Sequence, residues 1–164
     1  MNDEPAQRLS FTSRDDVVSF AHKLLSTLDA TSGRDITLVD VDLSPWPLDD
    51  VAVIDALTRW IRLPGRRLHL VAARYDVVTR DQPRFAAWRQ PFAHAVDSWT
   101  PVELDATDLP SVLLLDGSCF ELFDRERWHA RWTAERRSCI LQRERVDALM
   151  QRCEGAWPVT MLGL

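Results

Sequence analysis

ITLVDVDLSPWPLDDVAVIDALTRWIRLPGRRLHLVAAR, residues 36–74, holds two compact apolar runs with an amphipathic stretch between them. Ile36, Leu38, Val39, Val41 and Leu43 form the first run, broken by Asp40 and Asp42, in the pattern of a strand covered on both faces. Pro45 and Pro47 end it, because a proline cannot donate to a central ladder. Asp49 or Asp50 then opens a helix with Val53, Ile54, Leu57, Trp60 and Ile61 on one face, and Pro64-Gly65 closes it. Leu68, Leu70, Val71 and Ala73 read as the next strand. Strand, helix and strand within about 40 residues predict a right-handed parallel unit.

Working outward, residues 1–12 read as an N-terminal arm and 13–164 as a single domain. Ser13 suits a helix N-cap, with Asp15 and Asp16 in the first turn and an apolar face from Val17 to Leu28, which predicts a helix over 14–29. Beyond the opening unit, a helical segment is expected around 82–96, broken at Pro91. Strands follow at Trp99–Asp105 and Val112–Leu115, then an Asp116-Gly117 turn and a returning strand over Cys119–Phe123. Residues 124–136 suggest a helical turn, since Trp128 and Trp132 stand four apart. Ser138–Leu141 reads as a strand, Arg145–Cys153 as a helix, and Pro158–Leu164 as an apolar tail. The order implies an α/β fold with a mixed, mostly parallel sheet between helical layers.

Composition narrows the chemistry. The chain has 164 residues and a net charge of −5, and nineteen of its twenty basic residues are Arg, the exception being Lys23. The polar, acidic start and the lack of any apolar run of about 20 residues predict a cytoplasmic protein without a membrane span. Cys119, Cys139 and Cys153 form no CxxC pair and are expected to be reduced thiols; no metal or cofactor is expected. Net acidity argues against nucleic acid as a partner. The segment 124–145 departs from that average, with seven Arg against four acidic residues.

Three groups of residues point to chemistry. Asp40 and Asp42 form a DxD at a strand end, which resembles the opening motif of haloacid dehalogenase-like phosphohydrolases. That resemblance implies Asp40 as a nucleophile and Asp42 as a general acid, with Mg²⁺. The chain departs from that pattern in having Ser44-Pro45 after the motif and no Lys downstream of it.

The second group is LPSVLLLDGSCFELFDRE, residues 109–126. Together with ITLVDVDLSPW, VAVIDALTRWI, RRLHLVAAR, RRSCILQ and RVDALMQRCEGAW in that order, it resembles one half of a phospholipase D-like domain over residues 14–157. The resemblance implies an αβα sandwich that works in pairs, hence a homodimer. The catalytic motif of that family is His, any residue, Lys, four residues and Asp. Aligned on Asp116, the His and Lys positions fall on Leu109 and Ser111, neither of which can act as nucleophile or fixed cation. The resemblance therefore implies a non-catalytic domain acting in binding or assembly, with a cleft formed by Asp116, Ser111, Asp124, Arg125, Asp42 and Ser44 that could take a phosphate-containing ligand.

The third group, Arg127, Trp128, Arg131, Trp132, Arg136 and Arg137, could stack bases and neutralise phosphates, or could equally be core tryptophans with arginine stems packed on them. The four His form no HxH, HxxxH or HExxH pair, and a Cys119–His129 site has no local signature.

Overall fold

Two side chains start the first long helices. Ser13 Oγ accepts the Asp16 N–H at 3.2 Å and opens α1 (Arg14–Ser26) after a short strand β1 (Arg8–Phe11). Asp50 Oδ1 accepts the Ala52 and Val53 N–H groups at 2.9 and 3.3 Å and opens α2 (Val51–Ile61), which joins β2 (Asp35–Asp40) to β3 (Arg67–Ala72). The computed structural model describes residues 7–159. Its remaining elements are α3 (Asp76–Asp81), α4 (Pro83–Trp88), β4 (Val96–Pro101), β5 (Val112–Leu115), β6 (Ser118–Asp124), β7 (His129–Thr133), α5 (Arg136–Met150) and β8 (Cys153–Gly155).

All eight strands share one sheet in the order β1-β7-β6-β5-β2-β3-β4-β8. The expected α/β class with a mixed sheet is present, but the sheet is not mostly parallel. Only β2–β3 and β3–β4 pair in parallel; the other five pairs are antiparallel. The reason lies in the connections. A helical crossover follows β2 and β3, whereas β5, β6 and β7 are joined by turns too short for a crossover, so each strand returns antiparallel to the last.

Alternation along the strands sorts the core into two layers. Ile36, Leu38, Leu70, Leu113, Phe120 and Leu122 face α1 and α2, where Val17, Leu25, Leu57 and Trp60 meet them. Val39, Val71, Val112, Leu114 and Cys119 face the other way, toward Val146 of α5. Phe120 is fully buried and lies edge-on to Phe11, Phe20 and Trp46, with ring centroids 5.1–6.0 Å away.

Several elements differ from the expectation. Residues 8–11 of the anticipated arm form the edge strand β1, with Leu9 opposite Trp132. Of the helix expected around 82–96 only α4 forms, ending at Trp88 before Pro91; α3 precedes it, and turns lead on into β4 at Val96. Trp128 and Trp132 are not on a helix: Trp128 takes φ 57° in the β6–β7 turn, and Trp132 lies in β7. Ser138–Leu141 is helical, because α5 starts at Arg136; its Ile140-Leu141 pair faces outward rather than filling a strand. Cys153 leaves the helix and begins β8. Residues 1–6 of the arm and 160–164 of the apolar tail lie outside the described residues. Among the described residues no helix is long and apolar enough to cross a membrane.

Phe120→Ala should lower unfolding stability by about 3–5 kcal/mol. Urea denaturation should show a lower midpoint with an unchanged slope, and a loss under about 1 kcal/mol would mean that the aromatic cluster does not carry the packing on this face.

Candidate functional site

Strand β2 ends on Asp40, whose side chain has no exposure to water. Its Oδ2 accepts the Asp42 and Leu43 N–H groups at 3.1 and 2.8 Å, which turns the chain sharply and holds Leu43 at φ 65°. Its Oδ1 accepts the Ser111 hydroxyl at 2.5 Å. Arg125, in the β6–β7 turn, donates side-on through Nε and Nη2, both at 3.1 Å. The same Nη2 reaches Asp42 at 3.0 Å and Ser44 Oγ at 3.3 Å. Burial raises the Asp42 carboxyl, but the bonds from Ser44 and the charge of Arg125 outweigh it and leave the group below the ordinary carboxylate value.

The structure thus brings together four of the six expected cleft residues: Ser111, Arg125, Asp42 and Ser44. Asp124 joins them along the wall of an open polar groove of about 670 Å³, where its Oδ1 accepts the Arg127 N–H at 3.0 Å. Asp116 does not belong to this cleft. Strand β5 runs antiparallel to β2, with Val112 opposite Val39 and Leu114 opposite Thr37. Ser111 therefore meets the carboxyl end of β2, while Asp116 sits at its amino end against Gly33, where a Cβ would come within 2.5 Å of the Asp116 Cβ. Leu109 is buried as well. An attacking carboxylate needs an exposed lone pair, and Asp40 has both oxygens occupied; the geometry makes it a tie between strands.

The arginine–tryptophan segment is divided by the sheet. Trp132 packs against Phe20 with centroids 6.1 Å apart, and Trp128 lies beside the same core layer, 5.6 Å from the Arg14 guanidinium. Arg131 stands on the opposite face, beside Glu121 of β6 at 3.3 Å. Glu121 is buried and also takes Gln142 at 3.0 Å and Arg145 at 3.2 Å, so a carboxylate inside the sheet docks α5. This contact is missed in the sequence. The single charge inside the apolar run CFELF is the signal that could have found it.

Helix α5 is flanked by a groove on each side. One, of about 500 Å³, includes Arg8, Arg131 and Arg145; the other, of about 560 Å³, includes Arg34, Arg136 and Arg143. Arg136 and Arg137 occupy the first turn with no acidic residue there. Among the described residues no carboxylate pairs with Arg136, Arg137 or Arg143. Arg127 is exposed and lies 3.6 Å from Asp124.

The remaining expected groups are dispersed. His22 bonds Asp50 at 2.9 Å and His69 bonds Asp35 at 2.9 Å. Cys119 lies opposite Thr133 and His129 opposite Asp124, at different ends of the β6–β7 ladder. Burial, with Cys139 nearby, pushes the Cys119 thiol up to about 12, which keeps it protonated at neutral pH. All three cysteines are free.

No protein-family model and no curated protein matches the chain. Among solved structures it is similar to TrmBL2, an archaeal chromatin protein whose structure shows a novel mode of DNA binding. The TM-score is 0.64 and the identity 13%, over 95% of this chain and 57% of that one. This chain therefore spans little more than half the length of TrmBL2. It is also similar to NucT from Helicobacter pylori, with a TM-score of 0.56 and 7% identity over 91% of this chain and 98% of that one. At these identities the likeness is one of fold. It nevertheless corrects the expectation drawn from net acidity against nucleic acid as a partner. A DNA-binding chromatin protein has this fold, and here the total charge of −5 hides a local arginine surface.

Arg125→Ala should destabilise the fold by about 3–5 kcal/mol, because it leaves a buried carboxylate without its cation. The Asp42 carboxyl lies below its unfolded value, so its contribution is present above about pH 4 and is lost as pH falls through the folded value. Asp42→Asn should flatten the acid limb of the stability–pH curve, measured by urea unfolding; an unchanged limb would show that Asp42 does not contribute to it.

Proposed function

We propose that this is a non-catalytic α/β domain that binds duplex DNA through the arginine-lined face of α5. The observation that carries the reading is the first turn of α5. Its positive dipole end normally favours acidic residues; Glu135 stands at the N-cap and is paired with Arg8, while the first turn carries Arg136 and Arg137 and no acid, with Arg143 two turns further on. These guanidiniums have no carboxylate of their own among the described residues, so they stand ready for phosphate oxygens. Trp128 and Trp132 pack against the core, which leaves phosphate contact rather than base stacking as the mode. Similarity of fold to a DNA-binding chromatin protein supports the reading.

The phospholipase D-like resemblance belongs to the same proposal. The order of α1, β2, α2 and β3, then the β5–β6 hairpin and a closing helix, agrees with it. Leu109 and Ser111 stand where that resemblance asks for the nucleophile and its cation; Leu109 is buried and Ser111 is bonded to Asp40. This supports a binding role without phosphotransfer.

Duplex DNA of unrelated sequences should bind with similar affinity and a steep salt dependence. In Arg136→Glu/Arg137→Glu/Arg143→Glu the slope of log K against log salt should fall by about 0.9 for each phosphate contact removed. Wild-type protein that fails to bind at low ionic strength, or a triple variant with an unchanged slope, would overturn the reading.

A further inference from the structure

A second basic hollow, of about 550 Å³, lies where α2 hands over to β3 and the chain enters β4. Its wall carries Arg62, Arg66, Arg67 and His94 beside the ring of Phe92, and no acidic residue lines it. In a chain of net charge −5, three arginines and a histidine around one concavity are not a consequence of average composition.

The four are held differently. Arg67 is paired bidentately with Asp97 at 2.9–3.1 Å and is electrically satisfied. Arg66 is fixed by donating to the carbonyls of Pro64 and Ala30 at 3.0 and 3.1 Å, which orient it but leave its charge uncompensated. Its buried Nε donor has no acceptor among the described residues. That Nε is shut away from solvent, but Nη1 and Nη2 each keep a second N–H beyond the carbonyl bonds, and these are the donors an anion oxygen would take. Arg62 rests 5.9 Å from the Phe92 centroid, and neither it nor His94 has a carboxylate partner among the described residues.

The end of α2 accounts for part of this charge. A helix carboxyl terminus favours cations, and Arg59 and Arg62 stand there. That effect is confined to the last turn, whereas Arg66 and His94 come from the following loop and from the turn before β4. The hollow holds more positive charge than the helix end uses, and part of it is already rigid, which lowers the entropy lost on binding.

We propose that this hollow is a phosphate-binding site, separate from the α5 face, that takes a phosphomonoester or diphosphate group. Arg66 supplies a fixed donor, while Arg62 and His94 close from the rim. The phosphate comes either from a free nucleotide or from a nucleic-acid chain.

Isotope-labelled full-length protein titrated with pyrophosphate, AMP and a short DNA oligonucleotide, to about 10 mM for the small anions, tests this by amide shifts. Saturating shifts should appear at residues 62–67 and 92–95 with pyrophosphate or AMP. Arg62→Glu/His94→Glu, both changes at exposed positions, should weaken that binding about tenfold or more while the rest of the spectrum stays folded. The α5 triple variant should keep it. Shifts here with the small anions alone identify a free nucleotide as the source; shifts here with the oligonucleotide as well identify a nucleic-acid chain. No saturating shifts at these residues, or shifts that the double variant leaves intact, would overturn the site. Oligonucleotide shifts confined to α5, with no saturating shifts at these residues from pyrophosphate or AMP, would overturn the site while the α5 reading stood.

Discussion

A carboxylate shut away from water must find its hydrogen-bond donors inside the protein, and Asp40 draws them from three separate parts of the chain. The turn after β2 supplies two backbone N–H groups, the start of β5 supplies the Ser111 hydroxyl, and the β6–β7 turn supplies both arms of Arg125. The desolvation of one negative charge thereby fixes where β5 meets β2 and where the second hairpin closes over their ends. Register across a sheet is otherwise set by which face is apolar, and β2 and β5 are apolar on both. A polar tie of this kind decides what hydrophobic pattern leaves open.

That tie also explains which parts of the site could be read in the sequence. Ser111, Arg125, Asp42 and Ser44 are legible as polar residues at strand ends, and they do meet. In the sequence Asp116 reads as one of them, because hairpin tips and strand ends look alike in one dimension. Only the antiparallel pairing of β5 with β2 separates it by the length of the strand. Among the elements, those with strong local signals were legible: the Ser13 and Asp50 caps, the apolar β2 and β3, and the Asp-Gly hairpin. The carboxyl-terminal third was not. A spacing of four between Trp128 and Trp132 suggests a helix, but Trp128 sits in a left-handed turn, and the alternation that matters is Ala130 with Trp132. The amino half of α5 carries its apolar pair outward, so it offers no stripe to recognise.

Charge on this fold is organised by face rather than by total. Two acidic residues, Asp40 and Glu121, pair with arginine inside the sheet and tie elements together, while Asp97, Asp124 and Glu135 pair with arginine nearer the surface. Among the described residues, arginines without a carboxylate partner gather around α5 and at the entry to β3. A net charge close to zero or negative then coexists with local positive potential, which is what attracts an anion over short range.

Helix α5 has a further property that follows from how it is attached. Val146 is its one buried residue, and its other holds on the sheet are a rim of half-buried apolar side chains and the polar contacts of Gln142 and Arg145 with Glu121. The opposite face is clamped by two long helices and an aromatic cluster. With so few buried contacts, α5 should exchange its amide protons faster than β2, β3 and α2, through opening that falls short of global unfolding. A ligand that bridges the arginines of α5 and those of the sheet would be gripping a hinged part, and some of its binding free energy would go into holding that part shut.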